Sequence, residues 1–470
     1  MASISSPGIG SGIDVQSIVS QLVALEKAPL TKLETQANSI KTKISTYGTI
    51  SSQVSALGDA AFKLGNASGW NSVTATSSNA SAISVKAAAG APVTSLTMEV
   101  SQLAKAQSTA SSALASGASV GAGTLTIELG RWNAGSFTAG SETPVNVTIN
   151  AGEDSLSEIA AKINDADAGV SATVLKDASG ERLLLRSKET GAENGFRITA
   201  SDADGNNGDA SGLSRLAYNG TAGTGTTLSQ AGRNAMATIN GVAIETASNT
   251  LSDTLPGLTI QLSQVTTAPV EIDVSTDQDA IRANVQAFVD AYNSLNNTLA
   301  TTTKYDEATK TAGTLQGDAT AVGLQNALRG MMRSTTASSP FSRLSDIGIE
   351  IKTGGAMSLD AEKFSAALGD VEGLKDLFTV KTGDAATEGF GRKIDAFADG
   401  LLATDGLVTN RKNALQKSMD RNSDEQDRVN DRAARAEVRY LAQYNAMDAN
   451  VAKLNSLNSF VTQQIALWNS

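Results

Sequence analysis

Carboxylate pairs are the residues of this chain best suited to chemistry. Asp165 stands two residues from Asp167, and Asp202 two from Asp204. Glycoside hydrolysis needs two carboxylates across a cleft, one to protonate the leaving oxygen and one to attack or to activate water. Trp132, in Gly130-Arg131-Trp132-Asn133, is the candidate platform for a sugar ring. Residues 202–209, with Asp202, Asp204, Gly205 and Asp209, resemble a calcium loop. The sixth position is Asn207 where an EF-hand needs Gly, and the twelfth is Leu213 where it needs Glu. An exposed acidic turn is the plainer reading. Gly8-Ile9-Gly10-Ser11-Gly12 resembles a phosphate-cradling loop, yet no strand precedes it and no lysine follows in the Walker position. It reads as a leader into a helix capped at Ser11 or Asp14.

Other chemistries are closed off. The 470 residues contain neither Cys nor His. That removes thiol nucleophiles, disulfides, thiolate zinc, the Ser-His-Asp triad and the commonest general base. Lys plus Arg total 37 and Asp plus Glu 48, so the net charge is 37 − 48 = −11. A nucleic-acid backbone is therefore a poor partner. No run approaches the ~18 apolar residues of a membrane span, and no cofactor or metal is expected. The first basic residue is Lys27, and no apolar stretch follows Met1 as a signal peptide requires. The chain either stays in the cytoplasm or leaves by a route without a cleaved signal.

The elements around these residues are helical at both ends. Ile18, Leu22, Leu25, Leu33, Ile40, Ile44 and Tyr47, then Val54, Leu57, Ala61 and Leu64, recur mostly at steps of three, four or seven. Pro29 should break or kink this helix and open a second one. At the other end Val408, Leu415, Met419, Asn422, Gln426, Val429, Ala433, Ala436 and Tyr440 keep the spacing of a coiled coil. One extra step of four reaches Tyr444, a stutter. Met447, Val451, Leu454, Val461, Ile465 and Trp468 continue the stripe, widened by Leu441, Leu457, Phe460 and Leu467. Such a face must be covered, and the N-terminal stripe is the available partner, within one chain or between copies.

The middle is β-rich. Residues 125–129, 145–149, 170–174 and 182–186 read as strands, with a short helix over 155–164. Asn240-Gly241 reads as a two-residue hairpin turn. Residues 259–262 and 270–274 read as two more strands. The small-residue stretches 108–123 and 206–232 read as loops. A helix resumes with Ile281, Val285, Phe288, Tyr292, Leu295 and Leu299 on one stripe, Asn284 lying on the opposite face.

The fold class expected is α+β and multidomain: long terminal helices forming a coiled-coil leg and a helical bundle, with two β-rich domains inserted between them. The leg comprises 1–42 and 441–470. The bundle, with a small β-hairpin, comprises 43–70 and 275–440. An inner β domain takes 71–107 and 233–274, and an outer inserted one takes 108–232.

Gly8-Ile9-Gly10-Ser11-Gly12-Ile13-Asp14, Ile18-Val19, Leu22-Val23 and Pro29-Leu30 resemble the N-terminal signature of the flagellar filament cap family, hook-associated protein 2. Asp346-Ile347-Gly348-Ile349, Leu359-Asp360, Lys363-Phe364 and Leu377-Phe378 match its second half, as does the ending from Tyr444-Asn445-Ala446-Met447-Asp448. Residues 147–199 look like the β-rich repeat of cap proteins and flagellins. The resemblance implies a non-enzymatic protein exported through the flagellar channel that forms a ring at the filament tip. It implies flagellin, neighbouring hook-associated proteins and an export chaperone as partners, with no membrane insertion. Self- and flagellin-contacts are expected at Ile18, Leu22, Leu25, Tyr444, Met447, Val451, Leu454, Val461, Ile465 and Trp468. A flagellin-like subunit, a surface adhesin and a carboxylate glycan hydrolase are the competing readings.

Overall fold

The computed structural model describes residues 14–220, 225–338 and 340–468. The run Gly8–Gly12 and the side chain of Trp468 lie outside the described residues. Eight α-helices occur among the described residues: α1 (Val15–Leu64), α2 (Leu156–Asp165), α3 (Gln278–Thr303), α4 (Ala319–Met332), α5 (Ala361–Ala367), α6 (Val371–Thr379), α7 (Phe390–Leu402) and α8 (Leu407–Trp468). The chain divides into a helical unit, 1–70 with 279–470, and a β unit, 71–278.

In the helical unit α1 begins at Asp14, whose carboxylate accepts the Ser17 N–H at 2.9 Å. The break expected at Pro29 is absent, and α1 runs through it for 50 residues. Proline removes one backbone bond and crowds the turn before it. Here α1 is held against α8 on both sides of that turn, and packing overrides the local preference. The two helices are antiparallel. Glu26 pairs with Arg432 at 3.3 Å, the Leu33 carbonyl accepts Asn422 Nδ2 at 3.1 Å, and Tyr47 and Arg411 meet on Asp318.

The main core joins Tyr47, Val54 and Leu57 of α1, the α3 stripe from Ile281 to Leu299, and Val408 and Leu415 of α8, with Phe364, Phe378 and Phe390 from the helices between. Asn284 is not on the opposite face: four residues before Phe288 it lies about 40° from it around the helix, and it is half-buried on the flank of the stripe, its Nδ2 donating to the Gly69 carbonyl at 2.9 Å. A second, small cluster holds the far end of the pair: Val15, Val19, Val23 and Ala433, flanked by Tyr440, Leu441 and Tyr444. Between the two clusters, residues 24–46 of α1 bury no side chain fully.

The β unit has two cores. One lies on a five-stranded antiparallel sheet in the order Val73–Ser77, Val270–Thr276, Thr94–Gln102, Ala235–Ile239, Val242–Thr246, with a three-stranded sheet of Thr250–Leu255, Leu258–Leu262 and Ile83–Ala87. Val270, Ile272 and Val274 are buried while Glu271 and Asp273 are exposed, the alternation of a one-sided sheet. Asn240 and Gly241 take φ of 48° and 80°, the backbone a type I′ hairpin demands. The other core is built by Gly123–Asn133, Gly195–Asp202, Val145–Ile149, Val170–Asp177, Gly180–Ser187 and α2, around Leu125, Ile159, Leu185 and Phe196. Ser155 and Glu158 form a capping box on α2. The stretches read as loops contain the strands Ser108–Ser111 and Thr226–Gln230, paired with each other. Small Ser, Thr and Ala side chains give little periodic signal; the ladder between distant segments supplies the order.

Candidate assembly surfaces

The chemical candidates are occupied by structural work. Asp202 accepts the Ser214 N–H at 3.0 Å and its hydroxyl at 3.2 Å. Asp167 is bonded to Lys188, and that contact holds its carboxyl below the usual carboxylate range. Trp132 donates Nε1 to the Phe196 carbonyl at 2.9 Å and packs on Phe137 and Tyr218, with ring centroids 4.9 and 5.3 Å away. Among the described residues no group of three or more Asp or Glu could hold a metal ion. No described helix is long and apolar enough to cross a membrane.

The larger features are surfaces. Along α8 the seam is buried at Val408, Leu415, Asn422, Val429, Ala433 and Ala436. Tyr440 and Tyr444 close it against the three valines of α1. Beyond them the apolar face continues without cover from the described residues: Leu454 is 64 % exposed, and Met447, Leu457, Phe460, Val461 and Ile465 are exposed as well. Val451 is half-buried. On α1, Ile18 and Leu22 are half-buried and Leu25 is exposed. The residues packed inside the chain are instead Val15, Val19 and Val23. Their steps of four were visible in the sequence, beneath the larger side chains that flank them.

The helical unit is pinned at Asp318. Its carboxylate caps α4, accepting N–H groups of Thr320 and Ala321, and also accepts the Tyr47 hydroxyl and the Arg411 guanidinium. Burial pushes this carboxyl up, but the bonds from Arg411 and Tyr47 outweigh it and hold it below the usual range. The same burial and the neighbouring Asp318 push the Tyr47 hydroxyl well above its ordinary value. Three segments distant in sequence are thereby fixed at the base of the α1–α8 pair.

This architecture has known relatives. Flagellar hook-associated protein 2 of Escherichia coli K12 is 33 % identical over 479 residues, covering 99 % of this chain and 98 % of that protein. The chain belongs to the flagellar hook-associated protein 2 family. Its Salmonella typhimurium member is 29 % identical, with both chains covered in full. The family's N-terminal model matches residues 11–107 and its C-terminal model residues 232–456. The flagellin hook IN motif matches residues 136–189, inside the second β core. The solved D1-D2-D3 domains of the E. coli flagellar cap protein FliD align with a TM-score of 0.62 at 30 % identity, over 79 % of this chain and 99 % of that one. The family thus spans the helical ends and the β unit alike.

Proposed function

We propose that this chain caps the distal end of the bacterial flagellar filament. It forms a ring of copies that lets arriving flagellin fold and insert and prevents its loss. The role is mechanical and uses no catalytic residue. The ends 1–42 and 441–470 act as legs, the helical bundle as their base, and the two β cores as the inner and outer parts of the plate. Other copies, flagellin, neighbouring hook-associated proteins and an export chaperone are its partners. The protein acts outside the cell and reaches the tip through the flagellar channel.

The observation that carries this reading is the uncovered apolar face of α8 beyond Tyr444, in a chain that belongs to the family from end to end. A helix face of that kind is built for a helical partner. Deleting residues from Val451 onward tests it. The β unit should still fold, swarming should stop, and flagellin should appear as monomer in the medium. Normal swarming by that truncation would overturn the proposal.

A further inference from the structure

The end of α8 carries more apolar surface than one neighbour can hide. Val451, Leu454, Val461 and Ile465 share one stripe of the helix. Leu457, Phe460 and Leu467 form a second, roughly 120° around from the first at 100° per residue. Leu457 and Phe460 are 58 % and 57 % exposed, nearly as open as Leu454 on the first stripe. Together the stripes span about 200° of the helix surface. A stripe of about 100° is enough to bury a helix against a single partner. The second stripe is also shaped to receive a side chain. Ala452, Lys453, Ser456, Leu457 and Phe460 surround a dip in the helix surface. Lys453, Ser456, Leu457 and Phe460 stand at steps of three, one and three, the four residues that form a coiled-coil hole for one knob of a facing helix.

Charge marks the partner. Residues 437–453 contain Glu437, Arg439, Asp448 and Lys453, whereas residues 454–470 contain no charged side chain. Identical helices lying parallel set every charge level with its own copy, and like charges side by side repel. A neutral segment removes that penalty, while a helix of different sequence would be selected by complementary charge. Copies of this chain need such a neutral place, because each carries a net charge of −11. A ring adds a geometric condition. Its contacts run head to tail, so every copy must offer two different surfaces, one to each neighbour. The two stripes are such a pair, and they lie at one height on α8. The groove between Phe62, Met331 and Phe397 fails that condition. Phe62 lies past Tyr47 on α1, and Arg411, which meets Tyr47 at Asp318, is already 43 residues from Leu454 (454 − 411), roughly 64 Å along α8. An α8 end seated there would displace each parallel copy by more than that length and build an open filament, not a ring.

We propose that the end of α8 packs against the same segment of the next copy, Leu454 and Val461 of one chain entering the holes beside Leu457 and Phe460 of the other. The assignment rests on the capping reading and names the residues that join its ring at the legs. Each α8 end then has a neighbour on either side, its first stripe covering one and its second stripe covered by the other. In a single chain both stripes stay open until copies meet.

The absence of Cys allows a clean test. Full-length chains carrying Phe460→Cys are mixed with full-length chains carrying Val461→Cys, assembled, and treated with a short bis-maleimide. The two positions are nearly level but about 100° apart around the helix, so they meet when one stripe packs on the other. The mixture should yield linked pairs with one chain of each kind, and either chain alone should yield several-fold fewer. Replacing Leu457→Ser and Phe460→Ser together should raise the concentration needed for ring assembly by roughly tenfold, as loss of binding anchors does. If that double variant lowers the melting temperature, the cross-linking decides alone. If it melts as the wild type and assembles equally well, the assignment is overturned. A prevalence of Val461→Cys chains linked to each other means that like stripes pair, which also overturns it. Rings of unchanged mass with no linkage in the mixture overturn it and leave capping standing. Normal swarming by the truncation from Val451 onward overturns capping and this assignment with it.

Discussion

The Tyr47 hydroxyl donates to the Asp318 carboxylate at 2.9 Å across 271 residues of sequence. Arg411 reaches the other oxygen of the same carboxylate at 2.8 Å. One nearly buried anion thus ties α1, α4 and α8 together. Asp318→Ala should cost about 3 kcal/mol in urea unfolding of the helical unit. That is the low end for a broken buried pair, because Arg411 keeps a third of its side chain in water and is partly resolvated. Tyr47→Phe should cost less, about 1.5 kcal/mol, the loss of one hydrogen bond to a charged group.

The pH dependence follows from the direction of each shift. The Asp318 carboxyl is held below its ordinary value in the folded chain. Its contribution is present above the unfolded value near pH 3.9 and is lost as pH falls toward the folded one. The stability difference between wild type and Asp318→Asn should therefore be constant from about pH 5 to 8 and shrink below about pH 4. Tyr47 is raised, so its contribution is present below the unfolded value near 10 and fades above it. Urea midpoints of the Asp318→Asn and Tyr47→Phe variants, taken from below about pH 4 to above about pH 10, check both.

Phe288 is fully buried and meets the Phe378 ring edge-on, with centroids 6.2 Å apart. Phe288→Ala should destabilise the helical unit by about 3–5 kcal/mol. Asn284→Ala should cost about 1 kcal/mol through its bond to Gly69. Exposed Gln286→Ala should stay within about 0.5 kcal/mol. Calorimetry should show the transition of the β unit unmoved in all three.

Two helical glycines should respond oppositely. A Cβ on Gly391 would sit 2.4 Å from the Gly65 nitrogen, where the end of α1 abuts α7. Gly391→Ala should cost about 1–3 kcal/mol by overpacking. Gly330 faces open space within α4, so Gly330→Ala should add up to about 0.8 kcal/mol from helix propensity. Thermal melts that rank them the other way would contradict this packing.

The end of α8 also suits a helical export chaperone. Val461→Asp or Ile465→Asp should weaken capture of the chain in a chaperone pull-down. Leu228→Asp, an equally apolar and exposed position on the β unit, should leave it unchanged. Equal binding by all three variants would refute the docking face.

Periodicity made the helices legible. The α3 stripe from Ile281 to Leu299 is buried at every expected position, since spacing of three and four leaves one way to hide six large side chains. The alternating strands were legible for the same reason. Pro29 misled because helix breaking is a local preference, while α8 acts on α1 from a distance. The strands Ser108–Ser111 and Thr226–Gln230 were hidden because their partner lies more than a hundred residues away. Asp318 was hidden as well: a cap residue looks the same in sequence whether or not Tyr47 and Arg411 converge on it. At the legs, the large residues Ile18 and Leu22 drew notice from the valines that do the packing.

The Leu33–Asn422 hydrogen bond joins residues 389 apart. Everything needed to complete the β unit lies between them, within 71–278. A chain threaded out from one end can therefore finish that unit while its helical body is still half absent. In the proposed export through the channel, whichever terminus emerged last would act as the keystone: until it arrived, Asp318 would lack Tyr47 or Arg411 and the valines of α1 would lack Ala433. Order of arrival, as much as final stability, then decides when the helical ends become competent to stand on a filament.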